Sequence, residues 1–149
     1  MFGAAKSAAI QAKWSGNATY TLTNAYVASD DITIDFPKRL TIYPYYAAGA
    51  AEVGNTLDWV LEVNPLDATS DPTGVYWAQM GNYVNAAGTW SEQNSKFLDN
   101  QGVAGTYEPG VPLDFTNLNG ARMRFRIKEN GVMVNPGTCR IWVVKADIT

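Results

Sequence analysis

The residue types that most often carry out catalysis are scarce in this chain. Its 149 residues contain no histidine and a single cysteine, Cys139. Without histidine there is no imidazole general base, no Ser-His-Asp triad and no histidine ligand for a metal. One cysteine can form neither an internal disulfide nor a cysteine-rich zinc site, and Cys139 is predicted to be a small buried residue. The sequence therefore does not indicate an enzyme, and we expect no cofactor.

Carboxylates are the remaining candidates for catalysis or metal binding. Asp58 and Glu62 share one face of a predicted strand, but four residues of strand separate them by about 13 Å. Paired carboxylates in glycoside hydrolases stand roughly 5–9.5 Å apart, so this pair does not fit that reaction. Two further acidic clusters lie in predicted loops, namely Asp30, Asp31 and Asp35 in one and Asp67 and Asp71 in the other. Such clusters can hold calcium, but aspartates in loops more commonly cap turns.

A row of cations is the most pronounced pattern in the sequence. Arg122, Arg124, Arg126 and Lys128 alternate with Met123, Phe125 and Ile127, so the basic side chains share the outer face of one strand and extend for about 20 Å. We call these four cations the basic row. Like charges facing one another destabilise a sheet, so an acidic group is expected opposite the row. The row is predicted to be a solvated face with such partners, a contact for an acidic protein surface or, third, a site for a polyanion.

Aromatic residues make up 12% of the chain and could bind sugars or a protein partner. Trp59 alternates with leucines and is predicted to lie in the core. Trp142 points the same way as Arg140, away from Cys139 and Ile141, so it is predicted to be an interface anchor. A platform for sugar rings is the alternative, and its candidate residues are Trp59, Trp77, Trp90, Trp142, Tyr43, Tyr45, Tyr46 and Tyr76.

Charge and hydropathy exclude several classes of partner. The net charge is −3, yet residues 122–149 carry six basic and two acidic residues. A protein that binds nucleic acid directly is usually basic overall, so no direct nucleic-acid contact is expected. No apolar run approaches the roughly 20 residues that span a bilayer, so no membrane contact is expected either. The start of the chain lacks the pattern of a secretory signal.

The elements that carry these residues are predicted to be strands. Short alternating segments, with Ile32, Ile34, Phe36, Leu40 and Ile42 facing inward, are separated by loops rich in glycine and proline. Pro44 is expected to end its strand, to cause a bulge or to mark an edge. Residues 122–128 and 138–145 are predicted to form a hairpin that brings Arg140 beside the basic row. With seven to nine strands, the predicted fold is an all-β, antiparallel β-sandwich, either a jelly roll or immunoglobulin-like.

The first 16 residues differ from the rest of the chain. They are rich in alanine and could form a short helix, but we predict an extended N-terminal arm that becomes ordered on a partner, with a frayed terminus as the alternative. Residues 17–149 are predicted to form a single β-sandwich domain. The predicted protein interface combines the arm with the basic face: Phe2, Lys6, Ile10, Lys13, Trp14, Arg122, Arg124, Arg126, Arg140 and Trp142.

Four segments carry a resemblance to a known class of protein, over residues 30–146. They are Asp35-Phe-Pro-Lys-Arg-Leu-Thr-Ile-Tyr43, Leu57-Asp-Trp-Val-Leu-Glu-Val63, Arg122-Met-Arg-Phe-Arg-Ile-Lys-Glu-Asn-Gly131 and Gly137-Thr-Cys-Arg-Ile-Trp-Val143. Their order resembles that in small all-β virion proteins of tailed bacteriophages, such as capsid decoration (cementing) proteins and other head or tail accessory proteins. The chain departs from that pattern in its long 64–74 loop.

The resemblance implies adhesion rather than catalysis. A decoration protein would bind the major capsid protein or other virion proteins, form homo-oligomers and stabilise the head, in a virion assembled in the host cytoplasm. Two alternatives remain: a tail, neck or fibre component, or a carbohydrate-binding β-sandwich module that binds a glycan. The resemblance assigns no residue a role.

Overall fold

The computed structural model describes residues 7–33, 38–50, 52, 54–79, 82–84, 89–91, 96–99, 106–107, 111–115 and 122–147. These residues form strands and loops, with no helix among them, and so none that could cross a membrane. The strands are β1 (Ser7–Gln11), β2 (Tyr20–Thr21), β3 (Val27–Ala28), β4 (Ile32–Thr33), β5 (Lys38–Ala47), β6 (Thr56–Asn64), β7 (Ala78–Gln79), β8 (Asn82–Val84), β9 (Thr89–Ser91), β10 (Lys96–Asp99), β11 (Thr106–Tyr107), β12 (Val111–Phe115), β13 (Arg122–Asn130) and β14 (Thr138–Asp147).

Twelve of the strands build two antiparallel sheets with the topology of a jelly roll, and β8 pairs with β9 in a separate two-stranded sheet. In the first sheet, β14 lies between β5 and the edge strands β1 and β2, and β5 also pairs with β11 and β12. In the second, β13 lies between β6 and the edge strands β3 and β4, and β6 also pairs with β7 and β10. Short strands that lie along the same side of one long strand count as one position, namely β1 with β2, β3 with β4, β7 with β10 and β11 with β12. Numbered along the chain, the eight positions then have the orders 1-8-3-6 and 2-7-4-5, which is the double Greek key of a jelly roll. The all-β antiparallel sandwich is therefore confirmed, as a jelly roll rather than an immunoglobulin-like fold.

One hydrophobic core fills the space between the sheets. From the first sheet it takes Leu40, Ile42, Ile141 and Val143, and from the second Leu57, Trp59, Phe125 and Ile127. Each of these side chains alternates with an outward-facing neighbour, as a strand with one buried face requires. The inward positions predicted for Leu40, Ile42, Trp59 and Cys139 are confirmed, and burial raises the pKa of the Cys139 thiol.

The predicted hairpin of residues 122–128 and 138–145 is wrong. β13 pairs with β6 in the second sheet, whereas β14 pairs with β5 and β1 in the first. The alternation of the two strands is equally satisfied when they face each other across the core, and residues 131–137 are long enough to cross the roughly 10 Å between packed sheets. As a consequence, Arg140 does not lie beside the basic row but on the opposite outer face of the sandwich.

Pro44 neither ends its strand nor lies at an edge, because β5 continues through it to Ala47. Ala12 N donates to Ile141 O at 2.9 Å, so the backbone groups of Ile141 point towards β1. Pro44 pairs with Ile141 in register, and its nitrogen therefore points away from β14. On that side β12 pairs with β5 up to Ile42 and β11 resumes at Tyr45, so no strand of the described residues pairs with β5 at the position of the missing N–H.

Part of the predicted arm belongs to the packed domain. Residues 7–11 form β1 rather than the short helix that their alanines permit, and Ala12 and Trp14 are buried in the core. The chain then reverses at Ser15 and Gly16, whose φ angles of 50° and 82° are those of a tight two-residue turn. The Asp30 carboxylate accepts hydrogen bonds from both turn N–H groups, at 3.2 and 3.0 Å. Only residues 1–6 remain as a predicted arm, and they lie outside the described residues.

Candidate interaction surfaces

The basic row lies on the outer face of the second sheet and faces carboxylates of β6. Arg124 is directly opposite Glu62, and Lys128 is opposite Asp58. Arg124 Nε lies 2.6 Å from Glu62 Oε2, Arg126 Nη1 lies 3.1 Å from Glu62 Oε1, and Lys128 Nζ lies 3.9 Å from Asp58 Oδ2. The expected acidic partners are thus confirmed, and they neutralise most of the row within the protein.

Arg122, the first residue of the row, is buried and holds the 64–77 loop in place. Its guanidinium donates to Leu66 O and Asp71 O, both at 3.0 Å, and lies 2.8 Å from an Asp31 carboxylate oxygen. Asp71 in turn accepts hydrogen bonds from Asn64 Nδ2 at 2.6 Å and from two backbone N–H groups of the loop. This arginine is therefore a structural residue as well as a predicted interface residue.

Two aromatic rings cover the rest of the row. The Arg124 guanidinium lies 4.2 Å from the Trp77 ring centroid, and Arg126 lies 4.9 Å from that of Tyr26. The Tyr26 hydroxyl also donates to the buried Asp58 carboxylate. As a result the side chains of Arg124, Arg126 and Lys128 are only 24%, 39% and 28% exposed. Nothing in the alternation of β13 indicated these rings, because both come from loops distant in sequence.

The opposite outer face, on the first sheet, has a different character. Tyr43 pairs with Trp142 and Tyr45 pairs with Arg140 across β5 and β14, so the four side chains form two adjacent rows. We call these four residues the aromatic face. Tyr43 is 37% exposed and Arg140 is also exposed, with its guanidinium 5.3 Å from the Tyr45 ring centroid. Trp142 is half-buried, and its outward direction, predicted from alternation, is confirmed.

The remaining residues of the predicted interface are dispersed. Trp14 is buried and packs its ring against Tyr20 at 5.6 Å, which leaves it unavailable to a partner in this fold. Ile10 is half-buried and Lys13 exposed, and both line a cavity at the edge of the sandwich. Phe2 and Lys6 lie outside the described residues. The structure therefore brings Arg122, Arg124 and Arg126 together, and separately Arg140 with Trp142, on opposite faces.

Sequence reasoning missed a buried polar cluster around Glu129. Its carboxylate accepts hydrogen bonds from the Tyr46 hydroxyl at 2.6 Å and from Gly137 N at 2.9 Å. Burial, together with this hydrogen bond and the nearby negative charge, raises the pKa of Tyr46 above its ordinary range. The cluster anchors the 131–137 loop, which presents exposed Val132 and Val134. Alternation could have revealed it, since Glu129 continues the inward series of Met123, Phe125 and Ile127.

The acidic loop clusters act as caps in the described residues. Asp67 accepts hydrogen bonds from Thr69 N and Ser70 N, and these bonds hold its pKa below the ordinary range. Burial would raise the pKa of Asp71, but hydrogen bonds from Asn64 and the loop backbone, with the nearby Arg122 charge, outweigh it and lower that pKa. Among the described residues no group of three or more Cys, Asp or Glu could hold a metal ion. Asp35 lies outside them.

Comparisons with known proteins give distant likenesses only. No family model and no curated protein sequence matches the chain. The VP2 subviral particle of infectious bursal disease virus aligns over 95% of this chain with a TM-score of 0.49 and 10% identity, and the Gx strain of that virus aligns over 97% with 0.45 and 10%. The insecticidal delta-endotoxin Cry8Ea1 of Bacillus thuringiensis aligns over 87% with 0.34 and 14%. The chain spans 32% of each viral chain and 19% of the toxin, and at these values no function transfers to it.

Proposed function

We propose that this chain is a non-enzymatic structural protein of a virus particle, which adheres to other virion proteins through the aromatic face. The observation that carries the proposal is the aromatic face itself, where rings and an arginine lie together on the outer surface of the first sheet. Tyrosine, tryptophan and arginine are the residues most enriched among energetic hot spots of protein interfaces. The jelly-roll topology supports the proposal, since capsid proteins and lectins both use that fold.

The finer proposal is a decoration protein that binds the major capsid protein of a tailed bacteriophage and stabilises the head. It is supported by the resemblance of four strand segments and not by any catalytic motif. The proposed interface is centred on Arg140 and Trp142. Residues 1–6 are proposed as an additional contact, and the partly exposed side chains of Arg124 and Arg126, on the opposite face, as a contact with a different neighbour in the particle. A tail, neck or fibre component would use the same surface at another place in the particle.

Co-sedimentation with heads assembled without this protein tests the proposal. We expect the wild-type protein to sediment with the heads at a fixed ratio to capsid subunits. The double variant Arg140→Ala/Trp142→Ala should bind at least about tenfold more weakly, because it removes two anchors of hot-spot type. Tyr76→Ala is the matched control, since Tyr76 is an exposed aromatic in the 64–77 loop of the other sheet. The proposal would be contradicted if the wild-type protein did not sediment with the heads, or if the double variant bound them as tightly as the wild type.

Binding of a glycan is a second candidate, and one observation favours it. Tyr43 and Trp142 are direct neighbours across two strands, so two rings of the suggested sugar platform lie on the same face. Trp59 and Tyr46 are buried, and Trp77 lies against Arg122 and Arg124, so these three are unavailable for stacking. Binding to a glycan array that Trp142→Ala abolishes, together with no binding to heads, would favour this candidate.

A further inference from the structure

Strand β1 has an edge that pairs with no strand in the described part of the chain, and its backbone groups there point outward. One side of β1 pairs with β14, and the described residues include no strand on its other side. Ala12 N donates to Ile141 O, and in an antiparallel ladder the residues that bond to the partner alternate with those that point away. The N–H and C=O groups of Ser7, Ala9 and Gln11 are therefore directed away from β14, towards a position that an added strand could fill.

This edge lacks the features by which proteins usually protect unpaired strands. The segment Ser-Ala-Ala-Ile-Gln contains no charged residue and no proline. Ala8 and Ala9 are exposed, and their small side chains allow a neighbouring backbone to approach closely. The edge of β1 is thus chemically open to β-augmentation, in which an extended peptide extends a sheet by main-chain hydrogen bonds.

A cavity of about 330 Å³ lies beside this edge, where the first sheet meets the second. Ile10 of β1 and Ile32 of β4 provide its apolar surface. In an added strand, the residue directly opposite Ile10 would direct its side chain to the same face as Ile10. An apolar side chain at that position would therefore enter the cavity, between the edges of the two sheets.

Of the charged residues that line the cavity, the aspartates have hydrogen-bond or ion-pair partners, whereas the lysines have no carboxylate partner among the described residues. The Asp30 carboxylate caps the Ser15–Gly16 turn, and Asp31 pairs with Arg122 at 2.8 Å. Lys145 Nζ donates to the Thr33 carbonyl at 2.9 Å, and neither Lys145 nor Lys13 has a carboxylate partner among the described residues. The two lysines therefore leave positive charge at the cavity that an incoming carboxylate can neutralise.

We propose that the edge of β1 binds an extended, acidic segment of a partner protein. The segment places an apolar side chain opposite Ile10 and a carboxylate two residues away, on the same face, towards Lys145, which pairs with Ala8 in register. Main-chain bonds to Ser7, Ala9 and Gln11 provide the docking, and the cavity and Lys145 select the side chains. This surface adjoins the aromatic face, because Gln11 of β1 pairs with Trp142 of β14, but the proposal does not depend on a role in a virus particle.

Two peptides of identical composition test the proposal by NMR titration of the full-length protein. Acetyl-Glu-Thr-Val-Thr-Glu-amide presents valine and both carboxylates on one face, and its symmetry suits either strand direction. Acetyl-Thr-Glu-Val-Glu-Thr-amide places its carboxylates on the face opposite valine. We expect the first peptide to shift the amide signals of Ser7, Ala9 and Gln11 at millimolar concentration, and the second to bind more weakly. Absence of shifts, shifts confined to other surfaces or equal binding of the two peptides would overturn the proposal.

Variants separate the two components of the site. Ala9→Pro removes an outward N–H and leaves the bonds to β14 in place, so we expect loss of peptide binding with the core signals unchanged. Lys145→Gln should weaken binding roughly threefold, as expected for one partly exposed ion pair. Arg140→Gln, a charge removal on the aromatic face, is the control and should bind normally. Equal binding of the peptide by all variants would contradict the proposal. So would shifts at β1 that depend on protein concentration without peptide, because they would mean that a second copy of the chain fills the edge.

Discussion

The two outer faces of the sandwich differ in how far their charged side chains are paired within the chain. On the second sheet, four cations in succession are matched by Glu62, Asp58, Asp31 and Asp71 and are covered by Trp77 and Tyr26. On the first sheet, Arg140 lies beside exposed or half-exposed rings. The face that is most charged in sequence is therefore the one whose charges are largely satisfied within the chain.

This difference has a general physical reason. Four cations on one strand repel one another, so a stable sheet must place acids opposite them, and the acids then occupy the hydrogen-bonding capacity that a partner would need. An isolated Arg140 creates no such requirement. Its guanidinium is exposed beside the Tyr45 ring, which is why the inconspicuous pair Arg140 and Trp142 is the better candidate for contact with other molecules.

The largest expected difference between the faces is in folding stability. Arg122→Ala should lower the free energy of unfolding by roughly 3–5 kcal/mol, since it leaves the Asp71 carboxylate buried without its cation. Arg140→Ala, on the aromatic face, should change that free energy by less than about 0.5 kcal/mol. Urea denaturation of both variants measures the contrast. Equal losses would show that the two arginines have the same structural role.

A second, smaller effect is expected at the centre of the basic row. Glu62→Gln should destabilise the protein by about 2 kcal/mol, because Arg124 and Arg126 both lose the charge of their shared partner. Asp67→Asn is the control, since it removes a carboxylate from an exposed turn that asparagine also caps. Thermal unfolding of both variants provides the measurement. A Glu62→Gln protein as stable as the wild type would indicate that solvent, rather than Glu62, satisfies the row.

A substitution on the aromatic face should weaken binding to heads more than it lowers the free energy of unfolding. Trp142→Ala should cost about 1 kcal/mol of stability, because Trp142 is only half-buried, whereas Trp59→Ala should cost roughly 3–5 kcal/mol from the core. Calorimetry of the two variants compares them. If Trp142→Ala proved as destabilising as Trp59→Ala, any loss of partner binding by that variant could reflect unfolding instead of a lost contact.

The smallest predicted effect is a pH dependence of folding stability that is caused by Asp71, the carboxylate beside Arg122 of the basic row. The folded protein lowers the pKa of Asp71, so its ionised form contributes stability above the ordinary aspartate pKa. That contribution should be lost as the pH falls through the ordinary pKa and then the lowered one. Asp71→Asn should flatten this part of the stability profile between pH 5 and pH 2, measured by urea denaturation. An unchanged profile would show that Asp71 does not contribute.

Alternation along strands allowed much of this fold to be predicted, but not how the strands connect. The inward positions of Leu40, Trp59 and Ile141 and the outward position of Trp142 follow from period two alone. Alternation could not distinguish a hairpin of β13 and β14 from two strands facing across the core, because both arrangements bury the same residues. It also could not foresee that Pro44 lies between the residues of β5 that pair with β12 and those that pair with β11, because these pairings join segments distant in sequence.

The candidate surfaces were less predictable than the core. The acids opposite the basic row could be anticipated from electrostatics, but Trp77 and Tyr26 reach it from loops whose paths no local pattern specifies. The sequence predicts that Trp14 belongs to an interface, because the alanine-rich segment before it resembles a terminal arm. Its burial follows from the pairing of β1 with β14, a contact between residues at opposite ends of the chain.

Footprinting by hydroxyl radicals, applied to the protein free and bound to heads, tests the central claim most directly. The account predicts that oxidation of Tyr43 and Trp142 falls several-fold on binding, while oxidation of Tyr76 stays unchanged. Protection of Tyr26 and Trp77 with Tyr43 and Trp142 still fully reactive would contradict it, because the basic row rather than the aromatic face would then be the surface that contacts the particle.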